Sequence, residues 1–145
     1  PNWAGLSTSD LTDYATDQAN RLAQAKAFAI AAALGPSVVA FSEADMARAV
    51  AGAGAVINAT SLGLNGTDGP AVPWAQVEAD AVFMDMVYRP LETTFLAQAR
   101  ARGHTGVDGL DMLIGQARPS FGAFFGQAPP SSLDVRALAL SQQTH

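Results

Sequence analysis

The sequence predicts an α/β fold in which a parallel sheet is covered on both faces by helices. Three observations support this prediction. Short apolar segments alternate with longer helical segments along most of the chain. Several of the apolar segments are hydrophobic at consecutive positions, as strands buried on both faces of a parallel sheet are. Polar residues and glycines follow directly after these segments, where open α/β sheets bind their ligands.

Five short segments are predicted to form strands. They cover residues 10–15, 37–41, 55–59, 81–87 and 104–107. The first prediction depends on the strand propensity of Leu11, Thr12 and Tyr14. The segments at 55–59 and 81–87 are mostly apolar, which is the pattern of buried strands.

Five longer segments are predicted to form helices. They cover residues 19–34, 42–51, 92–102, 110–125 and 132–142. Ser42 is a predicted N-cap, and Asp45 three residues later is the acid of a capping box. Gly35 and Gly103 each follow a helical segment as a stop signal. The segment 60–73 is rich in Gly, Asn, Asp and Pro and is predicted to be a loop.

Composition limits the classes of function. The chain has 145 residues, of which 49% are hydrophobic and 14% charged, as in one globular domain. A net charge of −5 argues against nucleic acids and anionic membranes as partners. The absence of cysteine excludes disulfides and thiolate metal sites, and we expect no metal. Without a secretory signal in the first ten residues or an apolar run of roughly 20, we expect a cytoplasmic protein.

A first polar cluster follows the predicted strand at 55–59. It contains Asn58, Thr60, Ser61 and Gly63. A strand end that becomes polar and flexible can bring hydroxyls and backbone amides close to a ligand. The alternative is a simple turn in which Asn and Ser side chains satisfy the backbone.

A second cluster follows the predicted strand at 81–87. Asp85 lies within an apolar segment and needs a partner, because an unpaired buried carboxylate is costly. Met86 could provide a soft surface for a flat ring, and Tyr88 a hydroxyl beyond the strand. The alternative is that Met86 and Tyr88 only pack in the core.

A third cluster lies where the strand at 104–107 leads into a helix. Gly109 marks a turn at which a ligand or another segment could approach the backbone. Met112 and Gln116 are four residues apart and therefore share one helix face. That face could hold an apolar ring next to a hydroxyl-bearing ligand. The alternative is an ordinary half-exposed helix face.

In this order and spacing, the three clusters resemble the shikimate/quinate dehydrogenase family. The family pattern is Asn-Ala-Thr-Ser-x-Gly, then Asp-x-x-Tyr-x-Pro-x-x-Thr, then Asp-Gly-x-x-Met-Leu-x-x-Gln-Ala. The matching segments here are 58–63, 85–93 and 108–117, and the resemblance covers roughly residues 19–126. Each motif is weak alone, whereas the ordered set is specific.

The resemblance implies a substrate and a reaction. It implies a Rossmann-like domain of an enzyme that reversibly oxidises a ring hydroxyl of shikimate or quinate, a step of aromatic amino acid biosynthesis. Tyr88 and Gln116 correspond to residues that bind the carboxylate and hydroxyls of the ring. A non-catalytic module of the family, binding a nucleotide or a protein partner, is the alternative. A homo-oligomer is compatible with either function.

The resemblance also implies a nicotinamide cofactor, NAD or NADP. Met86, Gly109 and Met112 correspond to the nicotinamide side of the cofactor site. Thr60 and Ser61 correspond to the loop near its ribose and phosphates.

Two hypotheses about the amino-terminal region predict different cofactors. Asp13, at the end of a predicted strand, could bind the adenosine ribose hydroxyls and favour NAD. Alternatively, Asn20 and Arg21 match a pair that binds the 2′-phosphate in NADP-using relatives. Strand propensity favours Asp13, whereas the spacing to Gly35 favours Asn20 and Arg21. Of the two we expect Asp13, and with it a preference for NAD over NADP.

Some family features have no counterpart in the sequence. The first strand of the Rossmann-like sheet and its Gly-rich turn, which binds the pyrophosphate, are not found. The catalytic Lys and its partner Asp belong to the family's amino-terminal domain, and Lys26 is expected to be a solvated helix lysine. We therefore expect residues 1–145 to form a partial dinucleotide-binding domain with the carboxy-terminal helices. No catalytic residue is expected in this chain, which by itself should be inactive.

Overall fold

The computed structural model describes residues 7–141 of the chain. The chain divides into two compact units, with the boundary between Ala49 and Val50. The first unit is helical, and the second contains the sheet. None of the helices within residues 7–141 is both long enough and apolar enough to cross a membrane.

The first unit contains one long helix, α1 (Thr8–Leu34). Ser7 begins it with a capping box: the Asp10 amide donates to Ser7 Oγ (3.2 Å), and the Ser7 amide donates to Asp10 Oδ2 (2.8 Å). Gly35, with φ of 89°, ends the helix. The strand predicted at 10–15 is therefore wrong. The capping box starts a helix at this point, and strand propensity is weak where no neighbouring strand is available.

The strand predicted at 37–41 is also absent. These residues form a turn and irregular chain, with the Val38 amide donating to the Gly35 carbonyl (3.1 Å). Val39 is exposed, and no described strand pairs with this segment. An apolar run without a sheet beside it cannot satisfy its backbone as a strand.

A short helix follows where it was predicted. A 3₁₀ turn (Glu43–Asp45) leads into α2 (Met46–Val50). The Ser42 hydroxyl donates to the Asp45 carboxylate (2.6 Å) and does not cap a backbone amide. Ser42 thus precedes the helix as predicted, but neither backbone hydrogen bond of a capping box is formed, and only the two side chains bond to each other.

The second unit contains a three-stranded parallel sheet in the order β1-β2-β3. The strands are β1 (Ala55–Asn58), β2 (Val82–Asp85) and β3 (Gly106–Val107). Ala55 pairs with Val82, and Phe83 pairs with Gly106. All three strands lie within predicted segments. Because they are parallel, their carboxyl ends lie at the same edge of the sheet.

The second unit also contains three α-helices: α3 (Thr94–Ala101), α4 (Gly109–Phe125) and α5 (Val135–Ser141). Two short 3₁₀ helices, Leu64–Gly66 and Trp74–Gln76, lie between β1 and β2. The predicted α/β fold, a parallel sheet with helices, is confirmed. Packing between β2 and α3 forms the core, whose buried members are Ala81, Phe83, Phe95, Leu96 and Ala99. The Trp74 ring stacks on Phe83, with 5.2 Å between centroids. This core fixes the end of β2 relative to α3.

Candidate functional site

A fully buried carboxylate, Asp85, connects three segments at the carboxyl edge of the sheet. Its Oδ1 accepts hydrogen bonds from Asn58 Nδ2 (3.0 Å) and the Val87 amide (2.9 Å). Its Oδ2 accepts one from Thr93 Oγ1 (2.6 Å). These donors are the partners that a carboxylate in an apolar strand requires. Asp85 thereby joins the end of β1, the end of β2 and the start of α3.

Asn58 uses its remaining hydrogen-bonding capacity to fold the loop after β1. Its Nδ2 also donates to the Leu62 carbonyl (2.9 Å), and its Oδ1 accepts from the Thr60 amide (3.1 Å) and hydroxyl (2.7 Å). The Leu62 amide donates to Thr60 Oγ1 (3.1 Å). Asn58 therefore satisfies backbone groups of a turn, as the turn interpretation predicts, whereas the second residue that does so is Thr60 and not the predicted serine. Thr60 and Ser61 are both exposed at this edge of the sheet.

Gly63 returns the loop towards Asp85 in a left-handed conformation, with φ of 93°. A Cβ at this position would lie 3.4 Å from Thr93 Cβ and 3.8 Å from Asp85 Oδ2. Glycine therefore fits both the backbone conformation and the narrow space beside the buried carboxylate.

The chain beyond β2 alternates between buried and exposed residues. Val87 is buried, whereas Met86 and Tyr88 are 40% and 41% exposed. The Arg89 guanidinium lies over the Tyr88 ring, 5.8 Å from its centroid, and the Arg89-Pro90 peptide bond is cis. Met86 and Tyr88 are not core residues, which argues against the packing interpretation and leaves both side chains accessible to a ligand.

Helix α4 begins in direct contact with this segment. A Cβ at the buried Gly109 would lie only 2.6 Å from the Val87 carbonyl oxygen and 2.7 Å from that of Met86. Any larger residue would push the helix away. Met112 is half-buried and Gln116 is exposed further along α4. The helix that carries these two predicted site residues therefore starts beside Met86 and Val87.

Asp108 caps α4 and is itself held by an arginine of α5. Its Oδ1 accepts from the Leu110 (3.1 Å) and Asp111 (3.0 Å) amides. Arg136 donates from Nη1 to Oδ1 (3.0 Å) and from Nη2 to Oδ2 (2.6 Å) of Asp108, and from Nη1 to Asp111 Oδ1 (2.6 Å). The hydrogen bonds from Arg136 hold the pKa of Asp108 below its usual value.

Asp13 and Arg21 lie in the first unit. Asp13 is exposed within α1, so its predicted place at a strand end is wrong, because residues 10–15 are helical. Arg21 Nε pairs with Asp17 Oδ2 one turn away (2.9 Å), and both side chains are exposed. Lys26 is an exposed residue of α1, as predicted.

Sequence reasoning missed two features of this edge. Asp85 was expected to need a partner, but its donors Asn58 and Thr93 were not identified, although both belong to the family motifs. Arg136 was missed entirely, since it lies 28 residues from Asp108 in a segment without a recognisable motif. Within residues 7–141, no group of three or more His, Asp or Glu side chains could hold a metal ion.

Comparison with known proteins relates the chain to one group of oxidoreductases. It is 48% identical over 116 residues to the shikimate dehydrogenase (NADP(+)) of Caulobacter vibrioides, an alignment that covers 80% of this chain and 41% of that protein. The chain thus spans about two fifths of the length of this curated relative. No protein-family model matches the chain.

Two solved structures are also similar. Quinate dehydrogenase from Corynebacterium glutamicum, in complex with NAD, is 36% identical with a TM-score of 0.61, covering 77% of this chain and 40% of that one. Shikimate 5-dehydrogenase from Thermus thermophilus, in complex with NADP(H) and shikimate, is 32% identical with a TM-score of 0.52, covering 58% and 32%. The predicted Rossmann-like fold agrees with both. Over the part that aligns, the chain belongs to the shikimate/quinate dehydrogenase family.

Proposed function

We propose that this chain is the nucleotide-binding part of an NADP-dependent shikimate dehydrogenase, which reversibly reduces 3-dehydroshikimate to shikimate. One observation carries the proposal. The segments at Thr60–Ser61, Met86–Tyr88 and Gly109 meet at the carboxyl edge of one parallel sheet, where such sheets bind ligands. The named relative in Caulobacter vibrioides supports the reaction and the cofactor. Residues 1–145 would then form a partial dinucleotide-binding domain together with the carboxy-terminal helices.

The substrate ring would be bound by Tyr88 and Gln116. Both side chains are exposed, one just beyond β2 and the other on α4, so their polar groups can reach a ligand. Met112, half-buried one turn before Gln116, would offer an apolar surface next to that residue. A hydroxyl and an amide together suit a ligand with several hydroxyls and a carboxylate.

The nicotinamide would lie against Met86, Gly109 and Met112. The absence of a side chain at Gly109 lets α4 start directly against the chain after β2. Met86 on that chain and Met112 on α4 would each offer an apolar surface to a flat ring. Thr60 and Ser61, both exposed, would face the ribose and phosphate region, with the Thr60 hydroxyl also bonded within the turn. The cofactor supplies the hydride chemistry, and the protein positions the two rings.

NADP is favoured over NAD as the cofactor. The relative from Caulobacter vibrioides is named for NADP(+), and the argument for Asp13 loses its basis because this residue is helical. Of the pair Asn20 and Arg21, the side chain of Asn20 lies outside the described part of the structure. Arg21, which pairs with the exposed Asp17 in α1, can provide positive charge to a 2′-phosphate. Ribose recognition by Asp13, which would favour NAD, is the alternative.

Quinate is the alternative substrate, because a quinate dehydrogenase is among the similar structures. A non-catalytic module that binds a nucleotide or a partner protein is the alternative from a different functional class. A nucleotide-binding module of this kind would bind the cofactor but would not oxidise shikimate or quinate.

The proposal is tested with the full-length protein that contains this chain, by following NADP⁺ reduction in the presence of shikimate or quinate. Tyr88→Phe and Gln116→Leu should each raise the KM for shikimate about 10-fold, as expected for lost hydrogen bonds to a charged or polyhydroxylated ligand. Gln98→Leu, on the exposed surface of α3, is the matched control and should leave the KM unchanged.

Two further comparisons separate the alternatives. With NAD⁺ in place of NADP⁺ we expect a higher KM, and Arg21→Gln should raise the KM for NADP⁺ alone. Preference for NAD⁺ that Asp13→Asn reduces would favour the ribose alternative. If the full-length protein binds NADP⁺ but turns over neither acid, the dehydrogenase proposal is wrong.

A further inference from the structure

Helix α5 is short and lies at the surface of the second unit. It has seven residues, none of them buried, and its first turn is capped by Asp134, whose carboxylate accepts from the Ala137 amide (2.9 Å). Helices of this length are marginal without tertiary contacts. α5 packs against α4. Arg136 donates hydrogen bonds to Asp108, the N-cap of α4, and to Asp111 in its first turn. Arg136 therefore connects α5 to the start of α4 by side-chain hydrogen bonds.

The pair between Arg136 and Asp108 differs from an ordinary surface ion pair. The Asp108 side chain is only 8% exposed, and both of its oxygens receive guanidinium N–H groups in a bidentate arrangement. With the amides of Leu110 and Asp111, the carboxylate accepts four hydrogen bonds. Bidentate, charge-assisted contacts fix geometry as well as contribute energy, whereas exposed pairs contribute little.

The first turn of α4 is held on two sides. On one side, Gly109 lies directly against the Met86 and Val87 carbonyls. On the other, Arg136 holds Asp108, whose carboxylate caps the same turn. A shift of this turn would change the contact with the segment leading to Tyr88 and would move the start of the helix that carries Met112.

We propose that Arg136 is a positioning residue, which acts through Asp108 to fix the first turn of α4 against Met86 and Val87 and so orients Met112 and Gln116 towards the ligand. The identity of that ligand rests on the proposed function. The role of Arg136 in fixing the first turn of α4 does not depend on it.

Whether Arg136 fixes the first turn of α4 is tested by amide hydrogen exchange on the chain, comparing Arg136→Met and Arg136→Lys with the unmodified protein. Arg136→Met should accelerate exchange at the Leu110 and Asp111 amides about 10- to 100-fold, the range expected for lost charge-assisted hydrogen bonds. Arg136→Lys should recover only part of the protection, because a lysine cannot make the bidentate contact. Arg118→Met, an exposed arginine elsewhere on α4, is the control and should change neither amide.

The amides of Phe83 and Leu96 in the core should keep their exchange rates in every variant. Unchanged exchange at Leu110 and Asp111 in Arg136→Met would overturn the proposal. Equal acceleration in the core would also overturn it, since Arg136 would then contribute only to general stability.

The effect on the site is measured in the full-length protein. Arg136→Met should raise the KM for shikimate and lower kcat together, by up to about 100-fold in kcat/KM, because small displacements of positioning groups have large effects on rate. Arg136→Lys should restore part of the activity. Unaltered kinetics together with faster exchange would overturn the positioning role. If the unmodified protein has no activity, the proposed function fails, and the exchange experiment still decides whether Arg136 holds α4.

Discussion

At the scale of single residues, Asp85 explains how two family motifs come together. It is fully buried, yet its three donors come from three different segments: Asn58, Val87 and Thr93. A buried charge is stable only when such donors are present, so the site cannot form without the surrounding segments in place. Asp85 is therefore better described as a structural link at the edge of the sheet than as a group that contacts a ligand.

Thr93 is the donor whose loss should be most informative. Its hydroxyl donates to Asp85 (2.6 Å) and accepts weakly from the Leu96 amide (3.3 Å) at the start of α3. Thr93→Val keeps the shape but leaves a buried carboxylate oxygen without this donor. We expect the free energy of unfolding, measured by urea titration, to fall by about 2–3 kcal/mol.

Thr93→Ser is the matched control, because it keeps the hydroxyl and removes one methyl group. It should lower the free energy of unfolding by only about 1 kcal/mol. Equal losses for the two variants would show that packing of the methyl group, and not the hydrogen bond to Asp85, accounts for the effect.

At the scale of secondary structure, sequence patterns predicted elements correctly where local and tertiary preferences agree. The segments that became β1 and β2 are mostly apolar, and they pair with each other in the sheet. The segment at 10–15 has strand-forming residues, but Ser7 and Asp10 form a capping box that begins a helix there. The segment at 37–41 has an apolar pattern but pairs with no described strand.

The same distinction applies to the candidate site. Residues after the strands could be identified because a parallel sheet brings strand ends to one edge, which is a property of the fold. At Gly109 the sequence predicted that a ligand or another segment would approach the backbone, but not that it would be the Met86 and Val87 carbonyls. The Arg136–Asp108 pair depends on how α5 docks, and a pattern within one segment contains no information about that.

The contact between α4 and the chain after β2 gives a prediction at this scale. Gly109→Ala would place a Cβ within 2.7 Å of two carbonyl oxygens, so α4 must shift or the variant loses stability. We expect a loss of about 1–3 kcal/mol in the free energy of unfolding, as for overpacked sites, measured by urea titration.

Gly115→Ala in the same helix is the control, because its Cβ would meet nothing within 4 Å. Alanine is the better helix former, so this variant should gain about 0.5–1 kcal/mol. A Gly109→Ala variant as stable as Gly115→Ala would contradict the close approach of α4 to Met86 and Val87.

At the scale of the whole molecule, β1 is an outer strand of the sheet, and its free side is unpaired within the described residues. β1 pairs with β2, and among residues 7–141 no strand lies on its other side. Ile57 in this strand is 57% exposed. Exposed strand edges with apolar side chains favour association with other chains. We therefore expect the 145-residue chain to self-associate when studied alone.

The last prediction is that the 145-residue chain, studied alone, does not turn over shikimate. Its only lysine, Lys26, is an exposed residue of α1, and we do not expect it to be the proton-transferring lysine that the family resemblance implies. Loss of such a group costs about 10²–10⁴ in rate. The sequence also lacks the Gly-rich turn that would bind the pyrophosphate at a helix N-terminus, so the nicotinamide would be poorly fixed against the substrate ring.

The measurement is the absorbance of reduced nicotinamide after mixing the chain, of confirmed intact mass, with NADP⁺ or NAD⁺ and excess shikimate or quinate. The full-length protein in the same assay is the control and should be active. We expect no steady turnover by the chain and only weak binding of either dinucleotide. Steady turnover would mean that residues within these 145 transfer the proton and hold the pyrophosphate, and the assignment of both roles to other parts of the protein would be wrong.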